Sequence, residues 1–185
     1  MSNCTEVTSP FIVKREVKKV AVVVFASNTS LCGGFNANVI RHLVDLLAEY
    51  KPLGLENILV FPVGKKVADA VRKLGFRIEG DFQHMADKPS YQEAADLAAD
   101  LMKRFLHGDV DKVELLYNHF KSTASQILTR ETYLPIDLNN EKIMHKVKHT
   151  YQVVNNAKYI CEDMQLSDAD KDLSLIHISE PTRPY

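Results

Sequence analysis

Residues 20–50 read VAVVVFASNTSLCGGFNANVIRHLVDLLAEY, and this stretch decides the fold. A β-branched run (Val20, Val22, Val23, Val24, Phe25) feeds a small polar turn that carries adjacent glycines, Gly33 and Gly34. A near-continuous apolar strand of this kind is what a sheet covered on both faces requires. Beyond the turn, a helix opening near Asn36 places Val39, Ile40, Leu43, Val44, Leu46, Leu47 and Tyr50 at spacings of three and four, which make one helical face. Strand, glycine turn, helix is how a parallel α/β sheet begins.

The same alternation continues outward. Residues 56–64 (ENILVFPVG) predict a second buried strand, with Pro62 ending its ladder. Residues 65–74 predict a helix with Val67, Ala68, Val71 and Leu74 inward, closed by a left-handed Gly75. Residues 76–82 suggest a short strand. Ser90 and Glu93 form a capping-box pattern for a helix to about Leu106, with Ala94, Ala98, Leu101, Met102 and Phe105 on one face and Gly108 ending it. Residues 112–118 predict another strand. Residues 126–133 alternate with a period of two, which implies a strand with one wet face; 135–140 reads as a loop, and 144–154 is ambiguous, its alternation favouring a strand while helix spacing also fits in part. The expected fold class is therefore α/β, a mostly parallel sheet flanked by helices.

Composition bounds the function. The chain has 185 residues, 45% hydrophobic and 25% charged, with 23 basic against 24 acidic side chains. That is one globular domain with a normal core. A net charge of −1 gives no reason to expect nucleic acid as a partner. No apolar run approaches the roughly 20 residues that span a bilayer, so direct membrane insertion is not expected. Cys4, Cys32 and Cys161 are an odd number without a CxxC pair, which argues against a disulfide framework or zinc ribbon and for a reducing, cytoplasmic setting.

Several constellations invite a chemical reading. Glycines after a first strand are where α/β proteins cradle phosphate, because backbone N–H groups and a helix N-terminus favour an anion. Gly33-Gly34 lacks the G-x-G-x-x-G spacing and the Lys-Ser/Thr pair of a P-loop, so a structural turn that lets loop and helix pack closely is preferred. A stand-alone nucleotide- or phosphate-binding module built on turn 27–38 is the competing reading. His145 and His149 have metal-ligand spacing, with Cys161 or Glu162 as a third ligand, but Lys146 stands where H-E-x-x-H needs glutamate. Solvent-facing histidines are the plainer expectation. Cys32, near a helix start, reads as a small buried hydrophobe rather than a nucleophile. Glu131 with Asp137 is a candidate acid/base or Mg²⁺ pair that nothing else in the sequence supports. Glu162, Asp163, Asp168, Asp170 and Asp172 read as a solvated helix start rather than a Mg²⁺ site. No catalytic residue, cofactor or metal is assigned.

The turn also carries a resemblance. Ser27-Asn28-Thr29-Ser30-Leu31-Cys32-Gly33-Gly34-Phe35-Asn36 resembles the first strand–loop–helix junction of the ATP synthase gamma subunit family, with Ser30 where that family has glycine. The lead-in Thr8-Ser9-Pro10-Phe11 and Arg15-Glu16-Val17-Lys18-Lys19 resembles it too, over roughly residues 5–166. Ser27, Leu31, Cys32, Gly33, Phe35 and Asn36 carry the signature. The resemblance implies a Rossmann-like globular domain of a non-catalytic central-stalk subunit that couples proton flow to ATP synthesis by rotation and regulates ATPase activity. It implies alpha and beta subunits as partners through two long coiled-coil helices, with epsilon and the c-ring at the foot, at the cytoplasmic face of a bacterial inner membrane. Tyr159-Ile160-Cys161-Glu162-Asp163 is similar to the family's Y-[IL]-Y-E-P segment, which makes Tyr159, Cys161 and Glu162 the candidate epsilon and c-ring contacts. On this reading 1–16 is a lead-in, 17–166 the globular domain and 167–172 the start of the second helix. Residues 173–185 (LSLIHISEPTRPY) are similar to translated sequencing-adapter read-through and are expected to be a non-native tail. A chain so shortened is expected to be unable to couple rotation by itself, because torque needs the paired helices. A natural stand-alone regulatory relative is the third reading.

Overall fold

A computed structural model of the chain describes residues 9–29, 33–122 and 125–137. The chain divides into two compact units, Met1–Ile136 and Asp137–Tyr185, and the sheet with its helices belongs to the first. Expectations for 144–154, and for every candidate residue beyond 137, lie outside the described residues.

Five strands form one sheet in the order β3-β2-β1-β4-β5. They are β1 (Val20–Phe25), β2 (Ile58–Val63), β3 (Arg77–Ile78), β4 (Lys112–Ser122) and β5 (Ser125–Leu134). The first four are parallel, and β5 returns antiparallel on β4. The helices are α1 (Gly33–Tyr50), α2 (Lys65–Leu74), α3 (Gln83–Asp87) and α4 (Tyr91–His107). The expected α/β class with a mostly parallel sheet is what the chain adopts.

The core has two layers because β1 is buried on both faces. Val20, Val22 and Val24 pack with Val39, Leu43, Leu46 and Leu47 of α1 and with Val67 and Val71 of α2. Ala21 and Val23 point the other way, into a cluster with Met85 of α3 and Leu97, Leu101 and Phe105 of α4. Alternation of side chains across the pleat is what splits one apolar strand between two layers.

Several local expectations are corrected. Pro62 lies inside β2, opposite Val24, instead of ending the ladder. Val60 O accepts from Glu79 N on the β3 side, so Pro62, two residues on, faces that same side. There β3 has already ended at Ile78, and a missing N–H costs nothing. Leu74 is 40% exposed, at the last residue of α2, while Gly75 caps it at φ 77° as expected. Leu97, not Ala94, belongs to the inward face of α4. The Ser90 hydroxyl accepts from Glu93 N at 3.4 Å, but the Glu93 carboxylate lies 3.7 Å from His84 Nδ1 instead of returning to the cap. The strand expected at 76–82 is two residues long and is followed by α3. The single wet face expected of β5 is not found: Leu128 packs with the α1 layer and Tyr133 and Leu134 with the α4 layer, while Ile127 is 47% exposed.

Two polar devices lock this frame. At the sheet's amino end, Asp111 Oδ2 accepts from Lys18 N and Lys19 N, both at 3.0 Å. Arg15 crosses the Phe105 ring 4.3 Å from its centroid and donates to Phe105 O. Beneath α1, Glu114 is 2% exposed yet charged. Lys112 Nζ lies 2.6 Å and Arg130 Nε 2.9 Å from its carboxylate, and Arg130 also reaches Glu49 of α1 at 2.7 Å. Burial opposes ionisation of Glu114, but hydrogen bonds from Arg130 and Lys112 and the Lys112 charge outweigh it and hold the carboxyl below its ordinary range.

Candidate functional site

The described residues of turn 27–38 are assembled at the carboxyl ends of β1 and β2. Ala26 N donates to Val63 O at 2.9 Å, drawing the two chain segments together just beyond the strands. Gly64 makes this approach possible: its φ is +116°, and a Cβ there would sit 2.3 Å from Ala26 O. Next along the chain, Ser27 N donates to Asn36 Oδ1 at 3.0 Å. Asn36 Nδ2 donates in turn to Ser27 Oγ and to Thr29 O, both at 3.0 Å. Asn36 is 5% exposed, so its amide acts as a surrogate backbone that closes the loop from inside.

Asn28 ties the loop to two other segments. Its Oδ1 accepts from Lys65 N, the first residue of α2, at 2.7 Å, and its Nδ2 donates to Gln83 O in α3 at 2.9 Å. Gly33 and Gly34 take no part in this closure. They are the first two residues of α1, which starts three residues before Asn36, and apart from their chain neighbours and the helix's own backbone nothing lies within 4 Å of where a Cβ would sit on either. The expected close-packing role of the glycine pair is thereby corrected: side-chain amides tighten the loop, and the glycine that permits close approach is Gly64. Leu31 and Cys32 lie outside the described residues.

Above the turn is a cavity of 660 Å³ lined by Phe25, Ser27, Phe35, Met85, Leu115 and Tyr117 among others. It opens where β1 meets β4, the point at which the chain switches direction across the sheet and where α/β proteins hold ligands. Its walls are nearly all apolar. Two donors that a phosphate would use there, Ser27 N and Lys65 N, are occupied by Asn36 and Asn28. The anion-cradle reading of turn 27–38 therefore lacks two of its natural donors. Asn118 lines the same cavity, and its buried Nδ2 has no hydrogen-bond partner.

The other candidates fall as follows. Glu131 accepts from Tyr117 Oη at 2.9 Å, and burial followed by this bond and the Glu131 charge raises the phenol's pKa. Among the described residues no group of three or more His, Cys, Asp or Glu side chains is placed to hold a metal ion. Among the described residues no helix is long and apolar enough to cross a membrane. His145, His149, Tyr159, Cys161, Glu162, Asp163, Asp168, Asp170 and Asp172 lie outside the described residues. Sequence reasoning missed Asn28, Gly64 and the Glu114 cluster. Asn28 was in view as part of the turn, but its partners come from distant segments.

The comparisons with known proteins agree with one another. The ATP synthase family profile matches residues 1–170. The chain is 77% identical over 142 residues to the ATP synthase gamma chain of Phocaeicola vulgatus, covering 77% of this chain and 49% of that one. It is 51% identical over 161 residues to the gamma chain of Bacteroides fragilis strain ATCC 25285, covering 85% of this chain and 56% of the relative. The chain thus spans about half the length of the curated relatives it matches. Among solved structures, one chain of the Tetrahymena thermophila mitochondrial ATP synthase central stalk and c-ring shares the fold, with a TM-score of 0.51 at 19% identity over 90% of this chain and 67% of that one. The profile match over residues 1–170 and the 77% identity to a gamma chain show the family: the chain belongs to the ATP synthase gamma chains.

Proposed function

We propose that this chain serves as the globular part of the gamma subunit in an F-type ATP synthase. There it would couple proton flow to ATP synthesis by rotation, without an active site of its own, and influence ATPase activity. The observation that carries this reading is the 77% identity to the Phocaeicola vulgatus gamma chain. On it, epsilon and the c-ring are the partners of the globular part, with Tyr159, Cys161 and Glu162 as contacts. Contact with the alpha and beta subunits would run through helices in the half of the relatives that this chain does not match. The protein would then be peripheral, at the cytoplasmic face of the inner membrane.

The architecture suits a load-bearing role. A sheet covered on both faces, pinned beneath α1 by Glu114 and at the amino end by Asp111, resists shear between its layers better than an open loop assembly would. The test is a chimera: residues 9–137 of this chain replace the matching segment of the Phocaeicola vulgatus gamma chain, in that organism's enzyme. Proton-driven ATP synthesis in inverted vesicles should be retained. A chimera that folds and assembles but does not couple synthesis would overturn the proposal. Phosphate and nucleotides should give no heat of binding with the chain itself, as the filled donors of turn 27–38 imply.

A further inference from the structure

The 660 Å³ cavity has one wall unlike the others. Met85 and Ala86 come from α3, a helix of five residues whose N-cap, Phe82, makes no side-chain cap bond. A helix this short does not hold its own turns in water. It is bracketed by Gly80, at φ +74°, and by Pro89, two positions that separate it from its neighbours.

Its restraints can be named. Met85 is 8% exposed, Ala86 and the N-cap Phe82 pack against the same core cluster, and the Phe82 ring lies 6.4 Å from that of Phe61. Asp81 Oδ1 accepts from Gln83 N at 3.1 Å, a bond local to the segment. His84 faces Glu93 at 3.7 Å on the surface, where ion pairs contribute little. The polar tie from α3 to the turn after β1 is Asn28 Nδ2 to Gln83 O, and the same Asn28 is anchored at its other end by Lys65 N.

We propose that α3 is a hinged flap over the cavity, and that Asn28 is the strap that holds it shut. The strap has two separable ends. Losing the Nδ2 bond releases the flap, whereas losing the Oδ1 bond uncaps α2. Released, α3 loses the support that keeps it helical, and its internal bond from Lys88 N to His84 O opens with it.

Amide hydrogen exchange on the full chain tests this, with Asn28→Asp and Asn28→Ala as variants. Aspartate keeps an acceptor for Lys65 N but has no donor for Gln83 O. In Asn28→Asp the Lys88 amide should exchange about tenfold faster while the Lys65 amide stays protected, since one such bond is worth about that factor. In Asn28→Ala both amides should speed up, and the Val22 amide of β1 should not. The apolar dye anilinonaphthalene sulfonate should fluoresce more strongly with both variants as the cavity becomes accessible. Unchanged Lys88 exchange in both variants would overturn the strap. So would acceleration of Val22 by the same factor, which would mean that Asn28 supports the whole domain and not the flap.

Discussion

Asn36 has its amide committed to Ser27 on one side and Thr29 on the other, so even a conservative replacement leaves a group unpaired. Asn36→Ala should cost about 2 kcal/mol, the scale for stranding buried donors and acceptors, read as a lower urea midpoint at unchanged slope. Glycine positions separate in the opposite sense. Gly33→Ala and Gly34→Ala should be neutral or stabilise by about 0.5 kcal/mol each, because both sit in α1 with open space where the methyl goes. Gly64→Ala should cost about 3 kcal/mol, since its φ of +116° and the nearby Ala26 carbonyl both resist a side chain. Thermal melts of the three variants check the order, and a Gly33→Ala protein less stable than Gly64→Ala would refute it. The motif's identity could be read in the sequence, but its mechanics could not. A glycine that is required looks the same as one that is allowed, and at Gly64 the requirement comes from a positive φ together with the Ala26 carbonyl, which a segment remote in sequence brings within reach.

Elements were legible where their signal is local. The bounds of β1 and α2 follow from an unbroken apolar run and from a 3.6-residue period closed by Gly75, and the structure keeps both. What could not be read is how elements are tied together. Glu114 stands in the expected strand as one more residue; its partner Arg130 arrives from β5 and is held in turn by Glu49 of α1, while its partner Lys112 donates to Tyr50 of α1. Glu114→Gln should destabilise by about 3 kcal/mol, because it leaves Lys112 and Arg130 facing a neutral group in a largely buried place. The pH dependence follows from the same cluster. The folded pKa of Glu114 is depressed, so its contribution is fully present above the unfolded value of about 4.3 and is lost as pH falls through the lower folded value. Urea titrations at a series of pH values should show wild-type stability dropping below pH ~4 with a steeper acid limb than Glu114→Gln. Parallel acid limbs would show that Glu114 is not the group responsible.

At the scale of the described unit, the question is whether two core layers make one cooperative body. β1 answers it through its geometry: Val22 and Val24 belong to the α1 layer, Val23 to the α4 layer, and all three are buried. Neither layer can open without exposing the back of the strand that the other packs on. The free energy of removing either layer is therefore that of unfolding both. Two truncations probe this from opposite sides, Leu43→Ala in α1 and Phe105→Ala in α4, each deleting a fully buried side chain. Each should cost about 3–4 kcal/mol of cavity and transfer energy. Native-state hydrogen exchange then distinguishes the outcomes. If the layers are coupled, Leu43→Ala lowers the opening free energy of amides around Leu101 by as much as that of amides around Leu46, and Phe105→Ala does the same in reverse. If each truncation weakened only its own layer, the sheet would be a hinge between independent halves. A load applied to one face would then be lost before it reached the other, and the rotor role proposed for this fold would lose its physical basis.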